Sequence, residues 1–289
     1  MTVCEKKYFS KAIRSCLFYE LIDYLMPSNH SFIDKCKDLL NFLTCYQNRN
    51  ITTFMYNELL KVVRINFSSL NVLNHNKHSL VHHIYYDIPK KLQIGDLPLN
   101  VESIIFHPDF KHPLTKDMFS SKLTHIRFGY NFNNILEVGS LPENLKKLEF
   151  GCMYNQPLTK YLPSNLTILK FNGRFNQFNQ PLSRGDLPKS LTFLEFGYRF
   201  NQPLVQGDLP LGLSHLIFGG QFNQIIKHGV LPFDLLQLEF GYDFFFDQSF
   251  AQTGLPSNLT HLTFWLNRGQ SFDIKILSLP ASQVKILYR

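Results

Sequence analysis

Alanine is nearly absent from this chain, with only Ala12, Ala251 and Ala281 among 289 residues. Alanine is the strongest helix former, so its scarcity argues against a mainly helical fold. Charged residues make up 18% and tryptophan occurs once; the charged share is low for a globular protein. The five cysteines, Cys4, Cys16, Cys36, Cys45 and Cys152, are odd in number and no two stand at C-x-x-C spacing. That excludes a zinc-knuckle arrangement and a disulfide framework. No run approaches the ~18 consecutive apolar residues of a membrane span, and Met1-Thr-Val-Cys-Glu-Lys-Lys leads into no apolar signal core. The expectation is an intracellular, cytoplasmic chain with reduced thiols. H-E-x-x-H, Walker A, G-x-S-x-G and G-x-G-x-x-G patterns are also missing, so no catalytic, metal or cofactor site is expected.

What is present in excess is phenylalanine, 28 residues, beside 13 tyrosines. This much aromatic mass can be buried and excludes disorder. The net charge of +7 is uneven. Residues 1–94 carry twelve Lys/Arg against seven Asp/Glu, and residues 95–289 carry seventeen against fifteen. No basic run exceeds two residues, which disfavours a nucleic-acid partner.

From Leu97 onward one pattern recurs: L-P-x-x-L-x-x-L-x-F-G, a short link, F-N-Q-P-L, and often G-D before the next L-P. The anchors are Leu97, Phe119 (degenerate), Leu141, Leu162, Leu187, Leu209, Leu231, Leu255 and Leu279, spaced 21–25 residues apart. Seven past the anchor stand Ile104, Ile126, Leu148, Leu169, Leu194, Leu216, Leu238, Leu262 and Ile286. Nine past stand Phe106, Phe128, Phe150, Phe171, Phe196, Phe218, Phe240, Phe264 and Tyr288. Thirteen past stand Phe110, Phe132, Tyr154, Phe175, Phe200, Phe222 and Phe244. Twenty-two of the phenylalanines lie beyond residue 95, most of them in these columns, so they predict internal aromatic ladders in a stack of about nine coils.

The alternation in L-x-F is the period of a strand. Proline after the anchor marks the corner before that strand. Glycine after the phenylalanine (Gly129, Gly151, Gly197, Gly219, Gly241) suits a sharp exit or a positive φ. Prolines at 113, 157, 181 and 203 disfavour a long return helix. Asp96, Asp186 and Asp208 recur as turn formers. The fold expected is mainly β: a leucine-rich-repeat-like solenoid with a parallel sheet of about nine strands, after a small all-α N-terminal region.

The stretch from Gly185 to Leu204 carries G-D-L-P-x-x-L-T-x-L-x-F-G-x-x-F-N-Q-P-L and resembles the FNIP repeat, a family known from social amoebae and their giant viruses. The resemblance covers residues 95–289. It implies a leucine-rich-repeat relative, an interaction module without established catalysis, and host cytoplasm for a viral member. Phe175-Asn176-Gln177-Phe178-Asn179-Gln180 duplicates F-N-Q, which predicts a surface bulge. Val81-x-x-Ile84-x-Tyr86 fits the strand columns once more, as a worn first repeat within a connector at 68–94.

Residues 1–67 carry no repeat. Apolar residues fall at helical spacing in three groups, separated at Pro27-Ser28-Asn29 and Asn48-Arg49-Asn50. Leu17-Phe18-Tyr19-Glu20-Leu21-Ile22-Asp23-Tyr24-Leu25 resembles the opening of an F-box. It lacks the proline after the first leucine and is several residues short. The resemblance implies that Leu17, Glu20, Leu21, Tyr24 and Leu25 dock an Skp1-type adaptor of a ubiquitin ligase. The other reading is a helical cap that covers the solenoid's open edge.

The residues flanking each inward strand position face outward. They include His125, Lys147, Phe193 and His215 six past the anchor, and Arg127, Glu149, Lys170, Glu195 and Glu239 eight past it. Opposite charges in the second column are placed to pair across parallel strands. His261 shares the first column with His125 and His215, at spacings too wide for one metal. These nine outward residues form the candidate face for a protein partner, and the function expected is a non-enzymatic interaction scaffold. The alternatives are an enzyme with a site where the N-terminal region meets the first coils, around His75–His83, and a nucleic-acid-binding repeat protein.

Overall fold

A computed structural model describes residues 64–72, 78–158, 161–173, 175–241, 255–266 and 284–288. Leu17, Glu20, Leu21, Tyr24 and Leu25, and with them almost all of the expected helical region, lie outside the described residues. The chain divides into a first unit, Met1–Tyr85, and a second, Tyr86–Arg289.

In the first unit, strand β1 (Arg64–Asn66) leads into a 3-10 turn at Phe67–Val72. It pairs in parallel with β2 (His83–Tyr86), Ile65 opposite Ile84. Spacing carries the helical region to residue 67, but Arg64–Asn66 are extended. Val62-Val63-Arg64-Ile65 is rich in β-branched side chains, which lose rotamer freedom in a helix. Val81 and Ile84 are fully buried, and a strand stands at the position of the worn repeat.

The second unit is a run of parallel strands, one per coil: β3 (Ser103–Phe106), β4 (His125–Arg127), β5 (Lys147–Phe150), β6 (Ile168–Phe171), β7 (Phe193–Glu195), β8 (His215–Phe218), β9 (Gln237–Phe240), β10 (His261–Leu266) and β11 (Val284–Tyr288). Ile104, Ile126, Leu148, Leu169, Leu194, Leu216, Leu238 and Leu262 stand in register across eight of them. The sheet is the parallel solenoid sheet that the repeat predicts. The last register differs: Leu262 pairs with Val284 and Phe264 with Ile286. The columns seven and nine past the anchor therefore end at Val284 and Ile286, not at Ile286 and Tyr288. A slip of two residues keeps the same side chains on the same face, so hydrophobic alternation cannot detect it.

Each corner closes by one turn. The amide of the residue four past the anchor donates to the carbonyl of the residue after the anchor, as in Leu145 to Pro142 and Leu213 to Pro210, at 3.0 and 3.1 Å. Two aromatic columns then fill the coil. Phe106, Phe128 and Phe150 stack at 5.4 and 5.5 Å between centroids. The second column runs Phe132, Tyr154, Phe178, Phe200 and Phe222 at 6.0–6.3 Å. Within a coil the two rings lie closer, 3.7 Å for Phe150 and Tyr154. Burial pushes the Tyr154 phenol well above its ordinary value.

Phe178, not Phe175, holds the ladder position in the coil with the duplicated F-N-Q. Phe178 is fully buried and Phe175 is 59% exposed. The duplication forms a bulge with Phe175 on its outside. Asn176 plugs it from beneath: its Nδ2 donates to the Gly151 carbonyl at 2.7 Å and its Oδ1 accepts the Phe178 amide at 2.9 Å.

The glycines divide into two roles. Those after the strand phenylalanine have ordinary φ but no room for a side chain, since a Cβ on Gly151 would sit 1.8 Å from the Gly129 carbonyl oxygen. Positive φ falls instead mostly on the position two before the anchor: Gly95, Gly139, Gly185, Gly207 and Gly229, with Asp117 (φ 63°) in the degenerate coil; Gly173 (φ 111°), just before the bulge, is the exception among the described residues. The following Asp96, Asp186 and Asp208 each accept the amide of the residue three before, at 2.7–2.8 Å. They are turn formers, as their position after glycine predicts.

The polar F-N-Q residues form a ladder that the repeat pattern does not reveal. The Oδ1 of Asn133 accepts the Asn155 amide, that of Asn155 accepts the Asn179 amide, and the series continues through Asn201 to Asn223 at 2.8–2.9 Å. Each rung satisfies a backbone donor that a strandless return leg would otherwise leave unpaired. The Asn223 Oδ1 is buried without a partner and marks the end of the ladder among the described residues.

Candidate interaction face

The strands place alternate side chains on opposite sides of the sheet. One set is the core, and the other is an outer face of two columns. Across β3 to β10 the first column reads Ser103, His125, Lys147, Ile168, Phe193, His215, Gln237 and His261. The second reads Ile105, Arg127, Glu149, Lys170, Glu195, Ile217, Glu239 and Thr263. All nine candidate residues stand in these columns, so the strand register brings them to one side of one sheet.

They form two clusters. In the first, Glu149 is only 8% exposed. Its carboxylate contacts Lys147 on its own strand and lies 3.6 Å from Arg127 on β4. Asn172 donates to it at 2.6 Å. Burial pushes the carboxyl up, but the Lys147 ammonium, the Asn172 amide and Arg127 together outweigh it and hold the group below its ordinary value. Partial burial of the His125 ring, and then the Lys147 charge, lower the imidazole's pKa. Threonine or serine before each outer histidine donates to the preceding coil, as Thr124 does to the Glu102 carbonyl. The same hydroxyl lies 2.8 Å from His125 Nδ1, and with its own hydrogen donated to that carbonyl it can accept a hydrogen bond from Nδ1–H. Ser214 and His215 repeat the arrangement.

In the second cluster Lys170 pairs with Glu195 at 2.9 Å and lies 4.4 Å above the Phe193 ring centroid. Phe193 stacks on His215 at 5.8 Å. Ile168 and Ile217 flank this pair, giving an apolar centre between charged groups. Beyond it Glu239 accepts the Trp265 indole N–H at 2.8 Å. Of the expected cross-strand pairs, Arg127–Glu149 and Lys170–Glu195 are present, while Glu149 and Lys170, opposite each other on β5 and β6, form no ion pair. The Lys147–Glu149 contact joins residues two apart on one strand, which the column pattern does not foretell.

Sequence reasoning also missed an apolar rim where the chain leaves the sheet. Tyr130, Met153 and Phe175 are 54%, 39% and 59% exposed in consecutive coils, and Phe175 meets Tyr198 of the next coil edge-on at 5.9 Å. The return leg has no period that would mark such residues, and Phe175 is outside only because of the bulge.

The Thr124–His125 and Ser214–His215 contacts join neighbours in the chain, and each hydroxyl donates to a carbonyl of the preceding coil. Among the described residues no three His, Cys, Asp or Glu side chains gather as a metal site. Cys152 is a buried free thiol. Of the stretch named for the enzyme alternative, His78 hydrogen-bonds the Leu70 carbonyl at 3.0 Å, and His75 lies outside the described residues. Among the described residues no helix is long and apolar enough to cross a membrane.

The family model described as FNIP Repeat matches residues 89–130, 112–153, 154–177, 178–210 and 200–243. Among solved structures, CroV588, described as a novel circular LRR protein, is similar at 33% identity with a TM-score of 0.56. It comes from the giant virus CroV. The likeness covers 72% of this chain and 33% of that one, so the chain spans about a third of the length of its structural relative. No curated protein matches the chain.

Proposed function

The chain belongs to the FNIP-repeat family, and on that premise we propose that it is a non-enzymatic scaffold whose outer strand face holds a protein partner. The observation that carries this reading is the contrast within each strand. The inward columns repeat Leu and Phe coil after coil, while the outward columns change from His125 to Lys147, Ile168, Phe193 and His215 along one line. Packing explains the first set and leaves the second free to serve recognition. The centre at Lys170, Phe193 and His215 combines an accessible aromatic ring, a residue type enriched at interfaces, with a cation and an ion pair that can fix a partner's orientation.

The test is cross-linking with mass spectrometry on the full chain in amoeba lysate, beside a K170S/F193S/H215S variant. Partners cross-linked on the strand face should be lost from the variant while its thermal unfolding stays unchanged. An identical cross-linked set from both proteins would overturn the reading.

The motif from Leu17 to Leu25 supports a finer version, in which residues 1–67 recruit an Skp1-type adaptor and the solenoid selects the substrate of a ubiquitin ligase. Purified Skp1-type adaptor should then bind the full chain and lose binding on L17A/L21A/L25A. No binding would leave residues 1–67 as the cap of the array, followed by the connector at 68–94 and the repeats from 95.

A further inference from the structure

A second surface lies at the corner of the coils, away from the strand face. The turns of the coils anchored at Leu187, Leu209, Leu231 and Leu255 enclose a groove of about 1110 Å³. Two lines of side chains border it. The line two past the anchor reads Lys189, Leu211, Phe233 and Ser257, and the line three before it reads Arg184, Gln206 and His228. The floor is Leu209, Pro210, Leu231 and Pro232, all buried.

Leu211 and Phe233 are 81% and 66% exposed. Most other coils carry Ser121, Glu143, Ser164, Lys189 or Ser257 at that position, so the coil's own packing does not require a hydrocarbon there. The two stand on consecutive coils, ~5 Å apart along the array. Arg184 and Lys189 both belong to the coil anchored at Leu187 and flank the groove at that end. The Arg184 stem passes over Gly207, where a Cβ would lie 3.5 Å from Arg184 Cδ. Neither cation has an ion-pair partner among the described residues. The nearby carboxylates are Asp186 and Asp208, buried and bonded to turn amides, and Asp234, exposed next to Phe233 in the coil of Leu231 but not among the lining residues. The groove thus has a cationic end and an apolar middle, and its far end is lined by the uncharged Leu255, Pro256 and Ser257.

We propose that this groove docks an apolar–acidic peptide segment of a protein partner. Two apolar side chains of the segment lie against Leu211 and Phe233, and a carboxylate on one side of them meets Arg184 and Lys189. The site is independent of the strand face. Its polarity sets the direction of the bound segment, with the acidic flank over the coil of Leu187.

The experiment is fluorescence anisotropy of the full chain with labelled nine-residue peptides of fixed design. Each peptide has two central leucines and carries glutamates, lysines or serines on one flank. The glutamate peptide should bind at least about tenfold more tightly than the lysine peptide. L211S/F233S should weaken it by about tenfold or more with unchanged circular dichroism and melting. R184E/K189E should abolish or reverse the charge preference. The strand-face variant K170S/F193S/H215S should bind the peptide normally, which separates failure here from failure of the scaffold reading. Equal binding of all three peptides, or insensitivity to both groove variants, overturns the proposal. So does a concentration-dependent dimer that L211S/F233S dissolves, because a second copy is then the occupant. Binding to phosphatidylserine vesicles that the same variant abolishes, without peptide binding, overturns it in favour of a lipid surface.

Discussion

The two sides of the same short strands obey different constraints. On β5, Leu148 and Phe150 face inward and Lys147 and Glu149 outward, one residue apart in the chain. The inner residues recur in nearly every coil because each ring must stack on the one before, at 5.4–5.6 Å for most steps of the first column. The outer residues have no such requirement and differ from strand to strand. Repetition thus marks what the coil needs in order to form. Variation marks what the coil leaves available for recognition. Substitutions can break this contrast, and the inner column gives the largest effect. Phe150→Ala removes a fully buried ring in contact with Phe128, Tyr154 and Phe171. It should cost about 3–5 kcal/mol by chemical denaturation. A loss under about 1 kcal/mol, below the range for large core truncations, would mean that the ladder is not what holds neighbouring coils together.

The asparagine ladder sits between the two extremes, being polar and repeated. Asn179 Oδ1 accepts the Asn201 amide at 2.9 Å and the Gln202 side chain at 3.1 Å. Asn179→Ala leaves a half-buried backbone donor unpaired and should cost about 1–3 kcal/mol. Amide hydrogen exchange at Asn201 should accelerate, because its acceptor is gone. Protection equal to that of the parent protein would show that water or another group replaces the rung.

The inner architecture is legible because its period is strict. Leu169 and Phe171 declare their side of the sheet by spacing alone. Where two choices share one period, the sequence cannot decide between them. Phe175 and Phe178 each head an F-N-Q, and only the fit of Asn176 beneath the bulge places Phe178 inside. Ile286 and Val284 stand two residues apart, so alternation cannot choose between them, and only the observed pairing of Val284 with Leu262 selects the register. Asn133 and Asn155 stand at the Asn position of the F-N-Q motif, but the pattern does not reveal their role because hydrogen bonds between residues 22 apart leave no local trace. The outer face is legible as a set, since alternation assigns His125, Glu149 and Phe193 to one side. Its internal chemistry is less so. That Glu149 is buried among Lys147, Arg127 and Asn172 depends on side-chain reach across strands, which spacing does not encode.

Glu149 is the outer residue that most resembles an inner one, and pH tests it. Its carboxyl is held below the ordinary value in the folded protein. A depressed folded-state pKa gives stability that is present above the unfolded-state value, near 4.5, and is lost as pH falls through the folded-state value. Thermal stability of the parent protein should therefore drop on acidification below about pH 4.5 by more than that of Glu149→Gln. The two curves should converge in strong acid. Parallel curves for the two proteins would show that the Lys147, Arg127 and Asn172 contacts contribute no net stabilisation.

The smallest stability effect belongs to the centre of the outer face, and its smallness is what makes it informative. Phe193 is half-exposed, stacked on His215 and overlaid by Lys170. None of these contacts reaches the aromatic ladders. Phe193→Thr puts in a β-branched residue suited to a strand and removes the ring. The change in unfolding free energy should stay within about 0.5 kcal/mol, the usual range for a surface position. Partner cross-links to β6–β8 should fall sharply in the same variant. A loss of several kcal/mol would place Phe193 with the inner set and erase the distinction between the two sides. An unchanged fold with unchanged partners would move recognition to another surface. Only a stable protein that has lost its partner fits a strand whose two faces do separate work.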